Sequence, residues 1–296
     1  MKQRILTIGL AVLCFIAALG IMLYPAVSSY VNEKYRSEIQ TEYELILQQV
    51  DTSELDRIRE LAVAYNTAIT PGTTQMEAFS QEAMLAASED YRHQLDPVGT
   101  GIMGYVEVPS LNIYLPIYHG TGTDSLERGI GHLLGSSLPV GGNSTHTILT
   151  GHSGMASQRL FTDLPQMQAG DVFYLHILDE VLAYQVDQLE TVLPYDTTHL
   201  GITSGADYCT LITCTPVGIN THRLLVRGTR IPYEEAVTVQ EEVQDQQPEQ
   251  GSNWQNQYML GIWLGILGTV LMALIAWLRV WIPKWIRRSW RGKYVR

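Results

Sequence analysis

Cys214 is the residue of this sequence best placed to act as a nucleophile. It closes the run Tyr208-Cys209-Thr210-Leu211-Ile212-Thr213-Cys214 and is followed by Thr215-Pro216. Proline cannot continue a central ladder, so a strand over that run delivers the thiol at a strand end. On residue type alone, a small buried hydrophobe is an equally open reading of a free cysteine. Cys209 sits mid-run and reads as packing. Along one strand the two would stand roughly 16 Å apart with side chains on opposite faces, too far for a disulfide.

A thiol nucleophile needs a base or cationic partner, because an ordinary cysteine is mostly protonated at neutral pH. Eight histidines are available, at 93, 119, 132, 146, 152, 176, 199 and 222. His152 stands out, since the run Thr147–Thr150 delivers it into Gly151-His152-Ser153-Gly154, a strand-end loop whose two glycines leave the backbone open to a substrate. A surface-turn histidine is the alternative. Acyl transfer also needs donors for a developing oxyanion. Arg223 follows Cys214 by nine residues, with Pro216 and Gly218 between them to reverse the chain. The next strand then runs antiparallel with Arg223 beside the thiol. Arg227 and Arg230 read as surface salt-bridge residues. No C-x-x-C or H-E-x-x-H pattern occurs, so no metal site is expected.

The elements that must hold these residues lie in an exported domain. The chain has 296 residues and a formal charge of −11, which argues against nucleic acid as a partner. Residues 1–30 and 251–296 contain no acid yet carry nine of the nineteen basic residues, so 31–250 sets ten basic residues against all thirty acidic ones. Ile5–Leu23 and Leu260–Leu278 are uncharged runs, each roughly 28 Å long as a helix. Lys2 and Arg4 precede the first, while a basic tail with Trp281, Trp285 and Trp290 follows the second. Two transmembrane helices with both termini in the cytoplasm are the expectation, leaving the acidic middle on the extracellular face of the cell membrane. A cleaved signal peptide ending near Ala26-Val27-Ser28 is the alternative for the first, although its apolar run is long for that.

Between the spans, 31–65 reads as helix through Tyr35, Ile39, Tyr43 and Ile46 and then Leu55, Ile58, Leu61 and Tyr65, with Asp51-Thr52-Ser53 capping a second start. From Gly104 short β-rich runs take over: Tyr105–Val108, Ile113–Tyr118, Thr145–Thr150, Val172–Leu178, Leu182–Asp187, Leu189–Leu193, Tyr208–Cys214 and Arg223–Arg230. Eight short strands predict an antiparallel barrel or sandwich, with short helices only near Leu126–Gly129 and Ser157–Leu164. The divisions are a membrane segment or signal anchor (1–28), a helical region (29–65), a lid-like stretch (66–98), the β-domain (99–233), a solvated polar linker (234–258), a membrane helix (259–280) and a basic cytoplasmic tail (281–296).

Several segments resemble the sortases, and within them class C, the pilin-polymerising members. Thr210-Leu211-Ile212-Thr213-Cys214 fits the TLxTC signature, and Thr150-Gly151-His152 and Asn220-Thr221-His222-Arg223-Leu224-Leu225-Val226-Arg227-Gly228 are similar to the other two catalytic segments. Met103–Pro109, Leu115–Thr121 and the stretch from Gly131-His132 to Gly141-Gly142 look like class C, across roughly 100–231.

The resemblance implies a mostly β fold: an eight-stranded sortase-type β-barrel with N-terminal helices and two flanking transmembrane helices. It implies Cys214 as nucleophile, His152 as acid/base partner and Arg223 as the residue that orients substrate and stabilises the oxyanion, with Thr213, Thr150 and Ser153 contacting substrate. The implied reaction cleaves an LPxTG-type sorting signal between Thr and Gly and passes the acyl group to a pilin lysine amine. A peptidoglycan amine is the alternative acceptor, and a non-catalytic exported binding domain the alternative outside catalysis. Two departures from class C stand out. The only Asp-Pro, Asp96-Pro97, precedes Val98 rather than an aromatic residue and adjoins the barrel, so Phe79 is the lid candidate without an anchor. Ser153 follows the histidine where class C often has Arg.

Overall fold

The computed structural model describes residues 2–69, 89–155, 157–246, 260–261 and 263–269. Phe79 and most of the expected lid lie outside the described residues, as does most of 259–280. The chain divides into two compact units, 1–248 and 249–296.

Helix α1 (Lys2–Leu47) is followed by α2 (Thr52–Ala68). Asp51 caps α2 by accepting the Ser53 N–H, which fulfils the expected second start. The expected membrane spans are not supported in the same way: among the described residues no helix is long and apolar enough to cross a membrane. The apolar run near the N-terminus is the beginning of a 46-residue helix whose later turns carry Lys34, Glu38, Glu42 and Glu44, so no helix end marks a membrane boundary.

After a helical turn, α3 (Glu89–Arg92), the chain enters a closed barrel. Its strands are β1 (Ile102–Val108), β2 (Ile113–His119), β3 (Ile130–His132), β4 (Thr145–Thr150), β5 (Val172–Ile177), β6 (Glu180–Val192), β7 (Asp207–Thr215) and β8 (His222–Ile231), in the order β1-β2-β3-β4-β7-β8-β6-β5. The pairs β2–β3 and β4–β7 are parallel and the rest antiparallel, so the purely antiparallel expectation is corrected. The two runs expected at 182–187 and 189–193 are one strand. Its register shifts between Val186 and Gln188, and Asp187 at that point takes Arg227 (3.0 and 2.8 Å) and Thr229 (2.9 Å). A short helix α4 (Thr123–Arg128) precedes β3. The expected helix at 157–164 is instead a run of turns ending in a 3-10 turn at Leu164–Gln166. The stretch expected as a solvated linker starts with helix α5 (Tyr233–Gln246), whose Ala236 and Val239 pack on Val172, Tyr174 and Ala183.

Alternation along each strand fills the interior with one set of side chains, among them Val106, Ile117, Leu149, Phe173, Tyr184, Leu211 and Val226. The other face is covered too. Ile148, Ile212 and Leu225 lie with Leu133 beneath Leu200 of the β6–β7 connection. Burial on both faces explains why β7 reads as an unbroken apolar run rather than an alternation.

Buried polar groups fasten the helices flanking 70–88 to the β3–β4 connection. The Asn66 amide donates to the Leu138 carbonyl (3.0 Å) and accepts the Leu138 N–H (2.7 Å). The Gly120 N–H donates to the Tyr91 hydroxyl, which meets His132 Nδ1 at 2.9 Å, and His132 Nε2–H donates to the Ser137 carbonyl at 2.9 Å.

This chain needs a neutral imidazole. Complete burial holds His132 down to about 4 from its ordinary 6.5, against the opposing pull of the Ser137 carbonyl. Burial lowers His119 and His146 as well. Between those pH values the unfolded chain binds more protons than the fold. Stability is therefore fully present above pH 6.5 and lost as pH falls through that window, with His132 contributing on the order of 3 kcal/mol. The melting temperature should drop steadily from pH 6.5 to pH 4 and drop less in His132→Gln. A flat profile would contradict this.

Candidate active site

The site is built from the ends of three neighbouring strands. β7 ends at Thr215 just before Pro216, and the turn closes through the Ile219 and Asn220 N–H groups on the Pro216 carbonyl (3.0 and 2.9 Å). The reversal sets Cys214 directly opposite Arg223 on β8, so their side chains share a face as the residue spacing predicts.

His152 arrives from the other side. The parallel register runs to Thr150 opposite Ile212, so the segment that follows β4, with His152 in it, lies beside the end of β7. The Gly151 N–H donates to the Ile212 carbonyl at 3.0 Å, and the Ser153 hydroxyl donates to the Cys214 carbonyl at 2.6 Å. One row thus crosses the sheet as Cys214, Arg223 and then Val192, with neighbouring backbones about 5 Å apart, and the two bonds from Gly151 and Ser153 hold the His152 segment alongside Cys214. A second row, Thr150, Ile212 and Leu225, forms its floor.

The electrostatics separate the candidates. Cys209 and Cys214 are both free thiols, the first buried and the second half-buried. Burial pushes the Cys209 thiol well up, and the Asp207 carboxylate pushes the same way, so Cys209 stays a protonated packing group. Among the described residues Arg223 pairs with no carboxylate. Its Nη1 donates to the Asn220 and His222 carbonyls (3.3 and 3.1 Å), which leaves the guanidinium charge available to an anion. Arg227 is consumed by Asp187, the salt bridge expected for it.

The other histidines are occupied: His146 lies between Gly201 and Thr210, His176 on Glu107 and His199 on Glu190. His222 neighbours the site but, as the residue next to Arg223, points to the opposite face. His152 is half-buried, and its ring has no hydrogen-bond partner among the described residues.

The flanking residues differ from one another in burial and bonding. Thr213 is 1% exposed, and its hydroxyl donates to the Gly151 carbonyl at 2.8 Å. Ser153 is 9% exposed and spends its hydroxyl on Cys214. Both hydroxyls are thus engaged within the fold, whereas Thr150 is half-buried opposite Ile212.

The two glycines also have another reason than an open backbone. A Cβ on Gly151 would lie 2.6 Å from Ile130 Cδ1 and 2.8 Å from Phe161 Cδ2, and one on Gly154 would lie 2.8 Å from Val217 Cγ1. They let the His152 loop press against the barrel core and against the β7–β8 turn. Gly151→Ala should cost about 1–3 kcal/mol through overpacking, read as a lower urea midpoint with an unchanged slope. An unchanged midpoint would show that the site has room.

Comparison with known proteins places this geometry. A family model described as the sortase domain matches residues 106–231. Sortase C of Streptococcus pneumoniae, whose structure is described as informing catalysis and pilin substrate specificity, is similar at 45% identity and TM-score 0.57, over 66% of this chain and 97% of that one. Sortase C1 of Streptococcus agalactiae is similar at 45% identity and TM-score 0.59, over 65% and 97%. Among curated relatives, sortase D of Bacillus subtilis is 28% identical over 131 residues, 43% of this chain and 63% of its own length. Sortase A of Streptococcus agalactiae is 27% identical over 145 residues, 48% of this chain and 56% of its own. The chain thus spans less than two thirds of these curated relatives.

Proposed function

Because this chain belongs to the sortases, with class C members as its structural neighbours, we propose that it is a membrane-anchored cysteine transpeptidase that polymerises pilins. The observation that carries the reading is Cys214 directly opposite Arg223 on adjacent strand ends, with the segment holding His152 tied to the Cys214 carbonyl through Ser153. In the first half-reaction the Cys214 sulfur attacks the Thr carbonyl of an LPxTG-type signal. A C–S bond forms, the Thr–Gly C–N bond breaks, and His152 protonates the leaving amine. Arg223 stabilises the oxyanion formed on the way. In the second, a pilin lysine amine attacks the thioester, His152 takes its proton, and an isopeptide bond replaces the C–S bond. One amide is exchanged for another through a thioester that conserves the acyl group's reactivity, so the reaction calls for no cofactor.

Thr150 is the flanking residue that fits substrate contact. The apolar runs 5–23 and 260–278, with their basic outer flanks, support anchorage in the cell membrane and an extracellular barrel. Mass spectrometry of the product junction tests the acceptor: Thr joined to a pilin lysine is the expected result, and Thr joined to a cell-wall cross-bridge amine would replace pilin polymerisation with surface-protein attachment.

A further inference from the structure

We propose that Ser153 is a positioning residue of acyl transfer: with Thr213 it forms a two-hydroxyl clasp that extends the β4–β7 pairing past its last backbone bond and fixes His152 over Cys214. The proposal rests on the reading of those two as the reacting pair.

β4 ends at Thr150, and the backbone bond from Gly151 N–H to the Ile212 carbonyl is 3.0 Å. In a continued parallel ladder the Gly151 and Cys214 carbonyls would be the next acceptors. Hydroxyls engage both: Thr213 Oγ1 donates to Gly151 at 2.8 Å and Ser153 Oγ donates to Cys214 at 2.6 Å. The bonds are reciprocal, one from each segment to the other, and each donor adjoins a member of the reacting pair. Thr213 precedes Cys214, and Ser153 follows His152.

The remaining sides of the histidine loop are fastened as well. The His152 carbonyl accepts the Phe161 N–H at 3.0 Å, and the Gly154 N–H donates to Thr162 Oγ1 at 2.9 Å. Yet the His152 ring itself has no partner among the described residues, so its place relative to the thiol is inherited from the backbone that the clasp holds. A longer residue at 153 could not make the bond to Cys214 from the same short side chain. A displacement of about 1 Å in a reacting group costs on the order of 100-fold in rate, so the clasp should be read in turnover rather than in binding.

The experiment uses the full-length chain with an LPxTG-type peptide and compares wild type with two matched pairs, Ser153→Ala against Ser153→Thr, and Thr213→Val against Thr213→Ser. Each pair removes or keeps the hydroxyl. Expected for Ser153→Ala and Thr213→Val is a fall in kcat of about 10- to 100-fold, with KM within about twofold of wild type and recovery in the hydroxyl-keeping partner. The pH dependence of Cys214 alkylation by iodoacetamide should shift in the same two variants, because thiol and imidazole no longer share their geometry. A raised KM at unchanged kcat would show that the hydroxyls bind substrate and overturn the proposal, as would variants with unaltered kcat and alkylation profile. If wild type gives no acyl-enzyme, the transpeptidase reading fails, and the alkylation profiles still decide the clasp.

Discussion

Cys214→Ala should reduce turnover of a sorting-signal peptide by 10³-fold or more, about 4 kcal/mol of transition-state stabilisation at the least. The size of the effect follows from the absence of a substitute. Cys209 lies on the inner face of the same strand, fully buried, with its thiol pushed well above the ordinary range by burial. The variant should keep its fold, since Cys214 is the penultimate residue of its strand and is not among the buried core residues. Turnover measured beside a thermal melt checks both. Residual activity within tenfold of wild type at an unchanged melting temperature would remove Cys214 from the mechanism.

His152→Ala should lower kcat by about 10²- to 10⁴-fold, the range for loss of a positioned acid/base group. No other imidazole can step in. His222 faces the other way, and His146 is held between the Gly201 carbonyl and the Thr210 hydroxyl at 3.0 and 2.7 Å. The effect should fall on kcat, and the pH dependence of kcat should lose the limb that depends on the histidine. Those two readouts, taken with Cys214 still alkylatable, separate the loss of a proton carrier from the loss of the fold. A variant that raised KM alone would make His152 a binding residue.

The three candidate residues stand out in the sequence because each sits where a strand pattern meets a Pro- or Gly-rich break: Thr215-Pro216 after the cysteine, Gly151 before the histidine, and the turn 216–221 before the arginine. The β7–β8 pairing is local enough to be argued from spacing, so Arg223 opposite Cys214 follows. The β4–β7 pairing joins residues 62 positions apart and is parallel, which no local pattern announces, and the clasp of Ser153 and Thr213 was hidden with it. The count of eight strands came out through two compensating differences. β3 is only Ile130-Gly131-His132, too short for a periodicity, and β6 was divided at Asp187, where a register shift breaks the alternation. Helix α5 reads as linker because, among the described residues, its share of the apolar cluster on the barrel is a narrow stripe of Ala236 and Val239. The reason for Gly151 was unreadable as well, since Ile130 and Phe161 reach it only through the closed barrel.

The most direct test of the central claim is the intact mass of the full-length protein after mixing with an LPxTG-type peptide and no amine acceptor. Acyl transfer through Cys214 predicts an added mass equal to the peptide less its portion after Thr, released by hydroxylamine and absent in Cys214→Ala. An unmodified wild-type protein whose Cys214 is still alkylated by iodoacetamide, or an adduct that survives in Cys214→Ala, would contradict it.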